Sequence, residues 1–282
     1  MYYGMLTLSV ILFGLMFFFN DRYQKENGNG MESTFIFSFF TSAAGLVFLL
    51  FFNGLSFSLT PFTLMMAFFA AVNNILFMVF SLKALNSVNL SLFSLFTMLG
   101  GMMLPFAAGI MFFGEPLTFA VIVCVILNIA ALLLTVKKGD GKKSFLIYCG
   151  VFVMNGMSGV LSKIYQNSDL PKTNEALYSI WMTLITIVIS GIALIILRRN
   201  LKKQSMSSVI SMIGYGAFNK VGNYLLLLAL AVLPASVQYP FVTGGTVIVS
   251  TIIAALAKQK PTKREIAAVA VSFIGIMALV IL

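Results

Sequence analysis

The stretch FNKVGNY, residues 218–224, lies inside an apolar run from about Ser207 to Leu233 in which Lys220 is the only charged residue. A run of this length can cross a bilayer as an α-helix. A lysine in the middle of such a helix costs roughly 3 kcal/mol or more unless it faces a partner or a water-filled cavity. The stretch therefore predicts a membrane helix that turns one face toward a cavity.

The residues around Lys220 give this helix a polar face. Tyr215, Asn219 and Asn223 are spaced i, i+4, i+8, and Lys220 and Tyr224 stand in the adjoining row. Residues with these spacings lie on one side of a helix. We expect all five to contribute to a substrate-binding surface.

The composition of the whole chain is that of a membrane protein. Of its 282 residues, 60% are hydrophobic and 9% are charged, and the mean hydropathy is +1.02. These values exclude an ordinary soluble domain and predict an all-α polytopic protein whose surroundings are the lipid bilayer. The net charge of +10 comes from short basic clusters between apolar segments, which indicates membrane topology and not nucleic-acid binding.

Ten spans can be placed by hydropathy and length. A transmembrane β-barrel is excluded because the segments show no alternation with a period of two. The predicted spans are 2–20, 33–52, 62–84, 89–112, 117–136, 144–165, 175–197, 207–232, 235–257 and 264–282.

An internal repeat relates the two halves of the chain. A shift of 145 residues aligns spans three to five with spans eight to ten, and a shift of 142 aligns the start of each half. We therefore predict two five-helix repeats, 1–138 and 139–282. Because five is an odd number, the second repeat is inverted relative to the first, and the substrate site lies near the midplane between them. The matching pairs include Asn74/Asn219, Gly100/Gly245, Pro116/Pro261, Gly14/Gly156 and Tyr23/Tyr165.

The distribution of Lys and Arg predicts the orientation in the membrane. Fifteen of the eighteen basic residues fall in the loops after spans 1, 3, 5, 7 and 9 or next to them. The positive-inside rule places these loops in the cytoplasm and both termini outside.

The architecture resembles a known transporter family. Ten spans in two halves, with the link Gly-Glu-Pro-Leu-Thr (Gly114–Thr118) entering the fifth helix, are similar to the EamA-like branch of the drug/metabolite transporter superfamily. The resemblance covers essentially the whole chain, although the second half has Gln259-Lys260-Pro261 at the corresponding link. It implies a cavity lined by helices 1, 3, 4, 6, 8 and 9, peripheral helices 5 and 10, transport of small metabolites by alternating access, and cytoplasmic termini.

Each candidate residue has a structural alternative. Lys220 could cap backbone carbonyls at a helix break or extend toward one interface, although its midplane position favours a substrate or coupling role. The four candidate asparagines could bind substrate or form hydrogen bonds between helices, namely Asn73, Asn74, Asn219 and Asn223. Gln238, just before Pro240, could reach the mouth of the cavity.

Paired glycines suggest either hinges or close helix packing. Gly100 and Gly101 in helix 4 align with Gly245 and Thr246 in helix 9, where Gly244 completes the second pair. Paired glycines let a helix bend and let helices approach each other. We predict hinges at Gly100, Gly101, Gly244 and Gly245, with packing as the alternative.

Two further polar features have simpler interpretations. Asn155, Gly156, Ser158 and Gly159 in helix 6 form a small polar patch that suits either close packing or a cavity wall, and we favour packing. Glu115 precedes a helix, where a carboxylate commonly acts as a cap.

The sequence thus predicts a secondary transporter in the bacterial cytoplasmic (inner) membrane that moves a small polar metabolite, an amino acid or an organic anion. We expect no cofactor, since the chain has no histidine, no Walker motif, and two cysteines without metal-ligand spacing. An enzyme is not expected, because the polar residues form no catalytic cluster. The alternative is a non-transporting membrane subunit or lipid-interacting assembly factor, and a homodimer remains open.

Overall fold

A computed structural model describes residues 2–28, 30–53, 57–87, 90–135, 145–197, 204–256 and 263–281. Within these ranges the chain forms ten α-helices and no strand. The protein is therefore an all-α polytopic membrane protein, as predicted. The helices are α1 (Tyr2–Asn27), α2 (Met31–Phe52), α3 (Pro61–Ser87), α4 (Leu90–Phe113), α5 (Phe119–Thr135), α6 (Phe145–Asn167), α7 (Glu175–Leu197), α8 (Met206–Leu230), α9 (Ala235–Leu256) and α10 (Lys263–Ile281).

The apolar lengths of the helices agree with membrane insertion. Five of the described segments are long and apolar enough by themselves to cross a bilayer, namely 2–27, 31–51, 61–81, 175–197 and 235–253. Shorter apolar helical stretches lie at Leu99–Phe113, Phe119–Ala131 and Ile266–Ala278.

The first helix is longer than its apolar segment. We expected span 1 to end at residue 20, but α1 continues to Asn27 and ends at Gly28, whose φ of +73° suits glycine. An i, i+4 ion pair of 2.5 Å between Asp21 and Lys25 lies in this extension. The polar end of α1 therefore projects beyond the apolar segment, where hydropathy could not detect it.

Eight helices form a closed ring. In the order α1, α8, α2, α7, α3, α6, α4, α9, each helix packs against the next, and α9 returns to α1. Helices α5 and α10 pack against each other and against α9, outside this ring. The ring alternates between the two halves of the chain at every step, so neither half alone encloses the interior.

The packing repeats between the halves at the level of single residues. Two close crossings, each held by two glycines, join the first helix of one half to the fourth helix of the other, α6 with α4 and α1 with α9. Both members of each contact are related to the other half by the shifts of 145 and 142 found in the sequence. These related contacts are what a duplicated scaffold would produce. The division into two repeats stays a prediction, and its boundary at 138/139 lies outside the described residues. The contacts are Gly100 on Phe152 and Gly156 on Leu104 in one crossing, and Gly245 on Val10 and Gly14 on Val249 in the other.

Candidate functional site

A cavity of about 550 Å³ lies inside the eight-helix ring. At one end its lining reaches the end of α1 and the start of α2, where Gln24 and Thr34 line the wall. At the other end, no described residue of the α6–α7 or α8–α9 connection lines it. We call these the open end and the closed end. The described lining thus reaches one end of the ring and stops short of the other.

All eight ring helices contribute to the cavity wall. The predicted helices 1, 3, 4, 6, 8 and 9 line it, and the described residues of α5 and α10 do not. Helices α2 and α7 line it as well, since they stand between α8 and α3 in the ring. Their contribution is mainly hydroxyl groups, from Ser38, Thr41, Ser42, Ser179 and Thr186.

Lys220 lies on the cavity wall and is the only charged residue among the described residues that line it. Its side chain is 9% exposed. Within the described part of the chain, the ammonium has no hydrogen-bond acceptor and no carboxylate partner. No backbone carbonyl there accepts from it, so the carbonyl-capping alternative has no partner in the structure. A buried cation without a partner is available to an anionic ligand.

A close helix crossing positions the stem of Lys220. A Cβ added to Gly45 of α2 would overlap Cγ of Lys220 and would lie 2.8 Å from the carbonyl oxygen of Gly216. A Cβ on Gly216 of α8 would in turn overlap the carbonyl oxygen of Thr41. The two glycines therefore let α2 and α8 approach closely enough for the lysine stem to lie over the α2 backbone.

We expect Gly45→Ala to destabilise the fold by about 2 kcal/mol, because the added methyl group overpacks this crossing. The same variant should weaken ligand binding, since Lys220 must leave its position to accommodate the methyl group. Thermal unfolding in detergent micelles measures the first effect. Gly4→Ala is the matched control, because a Cβ on Gly4 has nothing within 4 Å. Equal stability of the two variants would contradict the proposed crossing.

Four of the predicted polar residues line the cavity with Lys220: Tyr215, Asn219, Asn223 and Asn74. The amide nitrogen of Asn74 points to Sδ of Met182 at 3.7 Å, and that of Asn223 donates to the carbonyl oxygen of Asn219 at 2.8 Å. Within the described residues, no donor reaches the amide oxygens of Asn74 and Asn223. These oxygens are therefore free to accept hydrogen bonds from a ligand.

Three other residues that we expected to bind substrate lie away from the cavity wall. Asn73 is buried and donates to the carbonyl oxygen of Met154 at 2.8 Å, which is the interhelical role that we gave as its alternative. Gln238 is fully buried and donates to the carbonyl oxygen of Leu226 at 2.6 Å. Tyr224 packs in an apolar cluster between α2, α7 and α8. Each side chain is directed at a neighbouring helix, and a substrate-binding role for these three residues stays a prediction.

The four predicted hinge glycines all lie at close contacts. Gly100 faces the backbone of Phe152, and Gly245 faces the side chain of Val10. Gly101 lies against Asn155, and Gly244 lies against Asn128. Pro105 and Pro240 lie inside α4 and α9 near these glycines. The contacts match the packing alternative, and a hinge role stays a prediction.

The polar patch of α6 does more than pack. Gly156 and Gly159 form close contacts with α4, as expected. Asn155 and Ser158, however, line the cavity, and the amide nitrogen of Asn155 donates to the carbonyl oxygen of Thr97 at 2.6 Å. The helical spacing of Asn155, Ser158 and Ser162 could have identified this second polar face. The spacing of the serines and threonines in α2 and α7 could likewise have identified the hydroxyl groups that these helices contribute to the cavity wall.

The closed end is sealed by stacked tyrosines. The rings of Tyr165 and Tyr178 stack with centroids 4.2 Å apart, and the ring of Phe62 stacks with that of Tyr165 at 5.9 Å. The Tyr165 hydroxyl donates to the carbonyl oxygen of Thr173 at 2.6 Å. The Lys172 ammonium donates to three carbonyl oxygens at the end of α6. These contacts close the ring below the cavity.

Comparisons with known proteins agree with this architecture. The sequence profile of the EamA-like transporter family matches residues 142–281. A solved crystal structure, described only as that of a protein, superimposes with a TM-score of 0.80 over 97% of this chain and 94% of its own, at 13% sequence identity. At that identity the likeness shows the fold alone. No curated protein matches the chain.

Proposed function

The chain belongs to the EamA-like transporter family, and we propose that it is a secondary transporter that moves a small metabolite with an anionic group by alternating access. One observation carries the proposal: Lys220, without a partner in the described part of the chain, supplies the only charge on the described wall of a cavity open at one end. An anion bound there gains a charge-assisted hydrogen bond, which is about twice as strong as a neutral one.

The cavity wall opposite Lys220 carries amide and hydroxyl groups. Helix α6 stands opposite α8 in the ring, and its Asn155 and Ser158 line the cavity. Thr246 of α9 also lines the cavity, and its hydroxyl has no hydrogen-bond partner among the described residues. Amide and hydroxyl oxygens accept hydrogen bonds from an ammonium group. A substrate with a carboxylate at one end and an ammonium at the other, an amino acid, fits both walls.

The two-fold repetition of the packing supports alternating access. In inverted-repeat transporters, the two halves exchange conformations and expose the same central site to either side. Here the ring alternates between the halves, and the cavity is open at one end and closed at the other. One conformation of such a cycle has this shape.

The test is uptake into proteoliposomes by the full-length protein. Amino acids are compared with their decarboxylated amines, so that each pair differs only in the carboxylate that Lys220 would bind. We expect uptake of at least one amino acid or organic anion and none of the matched amine. Equal uptake of both members would contradict anion recognition, and no flux of any compound would favour the non-transporting subunit.

The predicted orientation makes the open end cytoplasmic in a bacterial inner membrane. Lys25 is exposed near the open end and Asp169 is exposed near the closed end. In intact cells, a membrane-impermeant maleimide should label Asp169→Cys and spare Lys25→Cys, since the basic loops remain inside. Permeabilised cells, in which both cysteines should react, are the control. The cytoplasmic termini implied by the family resemblance require the reverse pattern.

A further inference from the structure

A buried ion pair crosses the closed end of the ring. Glu115, in the link between α4 and α5, lies 2.7 Å from the Lys163 ammonium of α6, and both side chains are only 7% exposed. The carboxylate also accepts two backbone hydrogen bonds, from Ala235 and Ser236, each 2.8 Å long. These are the first two residues of α9. Glu115 is therefore a helix cap, as its position suggested, but for a helix 120 residues away.

The local backbone is shaped to place this carboxylate. Gly114 ends the α4 segment with a φ of +62°, a conformation that favours glycine. The backbone nitrogen of Glu115 then donates to the carbonyl oxygen of Gly109 at 3.0 Å. A Cβ on Gly109 would overlap the Glu115 carboxylate, so only glycine leaves the space. The Gly-Glu link thus directs its acid inward, under the ring.

Glu115 connects three consecutive helices of the ring. The link follows α4, Lys163 belongs to α6, and the capped N-terminus belongs to α9, and these helices lie side by side in the order α6, α4, α9. Near the same end, Gln166 of α6 donates to the carbonyl oxygen of Leu227 at 3.1 Å, across the ring to α8. Separating the helices at this end requires these bonds to break.

We propose that Glu115 and Lys163 form a latch that holds the closed end shut and opens once in each transport cycle. The inference rests on the proposed transport function, since a latch has a role only if the cavity must open to both sides. When the closed end opens, α9 moves away from the link, and both the carboxylate and the ammonium exchange their partners for water. The pair is buried only in the closed conformation, so it stabilises that conformation selectively.

The repeat mates of the latch residues carry the opposite charges. The shift of 145 residues places Lys260 at the position of Glu115, and the shift of 142 places Asp21 at the position of Lys163. Lys260 lies outside the described residues. Asp21 forms its ion pair with Lys25 on the exposed surface of α1. The repeat mates therefore carry the charges of the pair interchanged, a lysine at the position of Glu115 and an aspartate at that of Lys163.

A change of pH within the physiological range should leave the ion pair between Glu115 and Lys163 intact. Burial raises the pKa of Glu115, but hydrogen bonds from Lys163 and from the backbone of Ser236 and Ala235 lower it by more, so the net pKa lies below its ordinary value of 4.5. A carboxylate with a lowered pKa contributes its stabilisation above that ordinary value and loses it as the pH falls through the folded value. The phenol of Tyr239 in α9 is the other titratable group within electrostatic reach of Glu115 among the described residues. Between pH 5 and 8, opening of the closed end should therefore depend on substrate binding and not on protonation of Glu115.

The test uses a cysteine that only an open latch exposes. Ser236 is fully buried, does not line the cavity, and its hydroxyl has no hydrogen-bond partner within the described ranges, so Ser236→Cys should disturb little. In nanodiscs, with Cys149 replaced by Ser, we expect maleimide to label this cysteine slowly. Adding Glu115→Gln or Lys163→Gln should raise the labelling rate about tenfold or more, because either change removes the charge pair that favours the closed state.

Lys25→Met is the matched control, since it breaks an ion pair that is exposed and lies at the other end, and it should leave the labelling rate unchanged. A folded Glu115→Gln or Lys163→Gln variant that labels as slowly as the parent would overturn the proposal. The wild-type chain gives an independent check through hydrogen exchange at Ala235 and Ser236. We expect these two amides to be protected as strongly as those in the interior of α9. Exchange at the rate of unprotected amides would also overturn the proposal. Neither measurement depends on flux, so a failed uptake assay leaves both interpretable.

Discussion

Replacing Lys220 by methionine is expected to lower the flux of an anionic substrate by at least about 30-fold, because removing one member of a buried charge pair costs about 2 kcal/mol or more. Methionine keeps most of the apolar stem that packs over Gly45. The ammonium has no partner in the described part of the chain, so its loss leaves no carboxylate or carbonyl there unpaired. We therefore expect the variant to fold at least as stably as the wild type.

The measurement pairs proteoliposome flux with thermal unfolding of the same preparations. Lys220→Arg retains the charge and should keep part of the flux. Lys172→Met should have the opposite effects on flux and stability, since Lys172 donates to three carbonyl oxygens at the end of α6 and does not line the cavity. That variant should lose stability more than substrate affinity. If flux survives Lys220→Met intact, Lys220 is structural, and the site must be sought among Asn74, Asn219 and Asn223.

Much of the fold follows from physical rules that act along the chain. The bilayer requires apolar helices of about 20 residues, so hydropathy alone placed all ten helices. The repeat was detectable because Asn, Gly and Pro recur in a constant register, and the close glycine crossings account for the glycines at those positions. Lys220 was identifiable because a charge at that depth is costly and is seldom found there without a function.

The rest of the site depends on how each helix is rotated, which a single chain segment does not reveal. Asn73 and Asn74 are neighbours in the sequence, yet Asn74 lines the cavity and Asn73 bonds to α6. Consecutive residues differ by about 100° around a helix axis, so the packing of α3 decided between them. Glu115 shows the same limit at longer range. Its capping role was predictable from its type and place, whereas its partner helix α9 was not.

The second large effect is expected at Gly100, and it separates the hinge from the packing interpretation. A Cβ at Gly100 would overlap the carbonyl of Phe152, a backbone group of α6 that cannot rotate away. Its repeat mate Gly245 would instead meet Cγ1 of Val10 at 2.9 Å, a side-chain atom that can shift. We expect Gly100→Ala to cost about 3 kcal/mol or more and Gly245→Ala about 1 kcal/mol.

Unfolding of the two variants in the same detergent checks this order, and flux at a temperature where both are folded checks the hinge. If the glycines act as hinges, alanine should slow transport at both positions to a similar extent, since helix flexibility is lost equally at each. If they act as packing sites, the stability loss should follow the contact, large at Gly100 and small at Gly245, with flux preserved in the folded fraction. Equal stability losses would mean that α4 can move away from α6 as easily as Val10 can rotate. The close crossing would then not be what holds the ring together at this point.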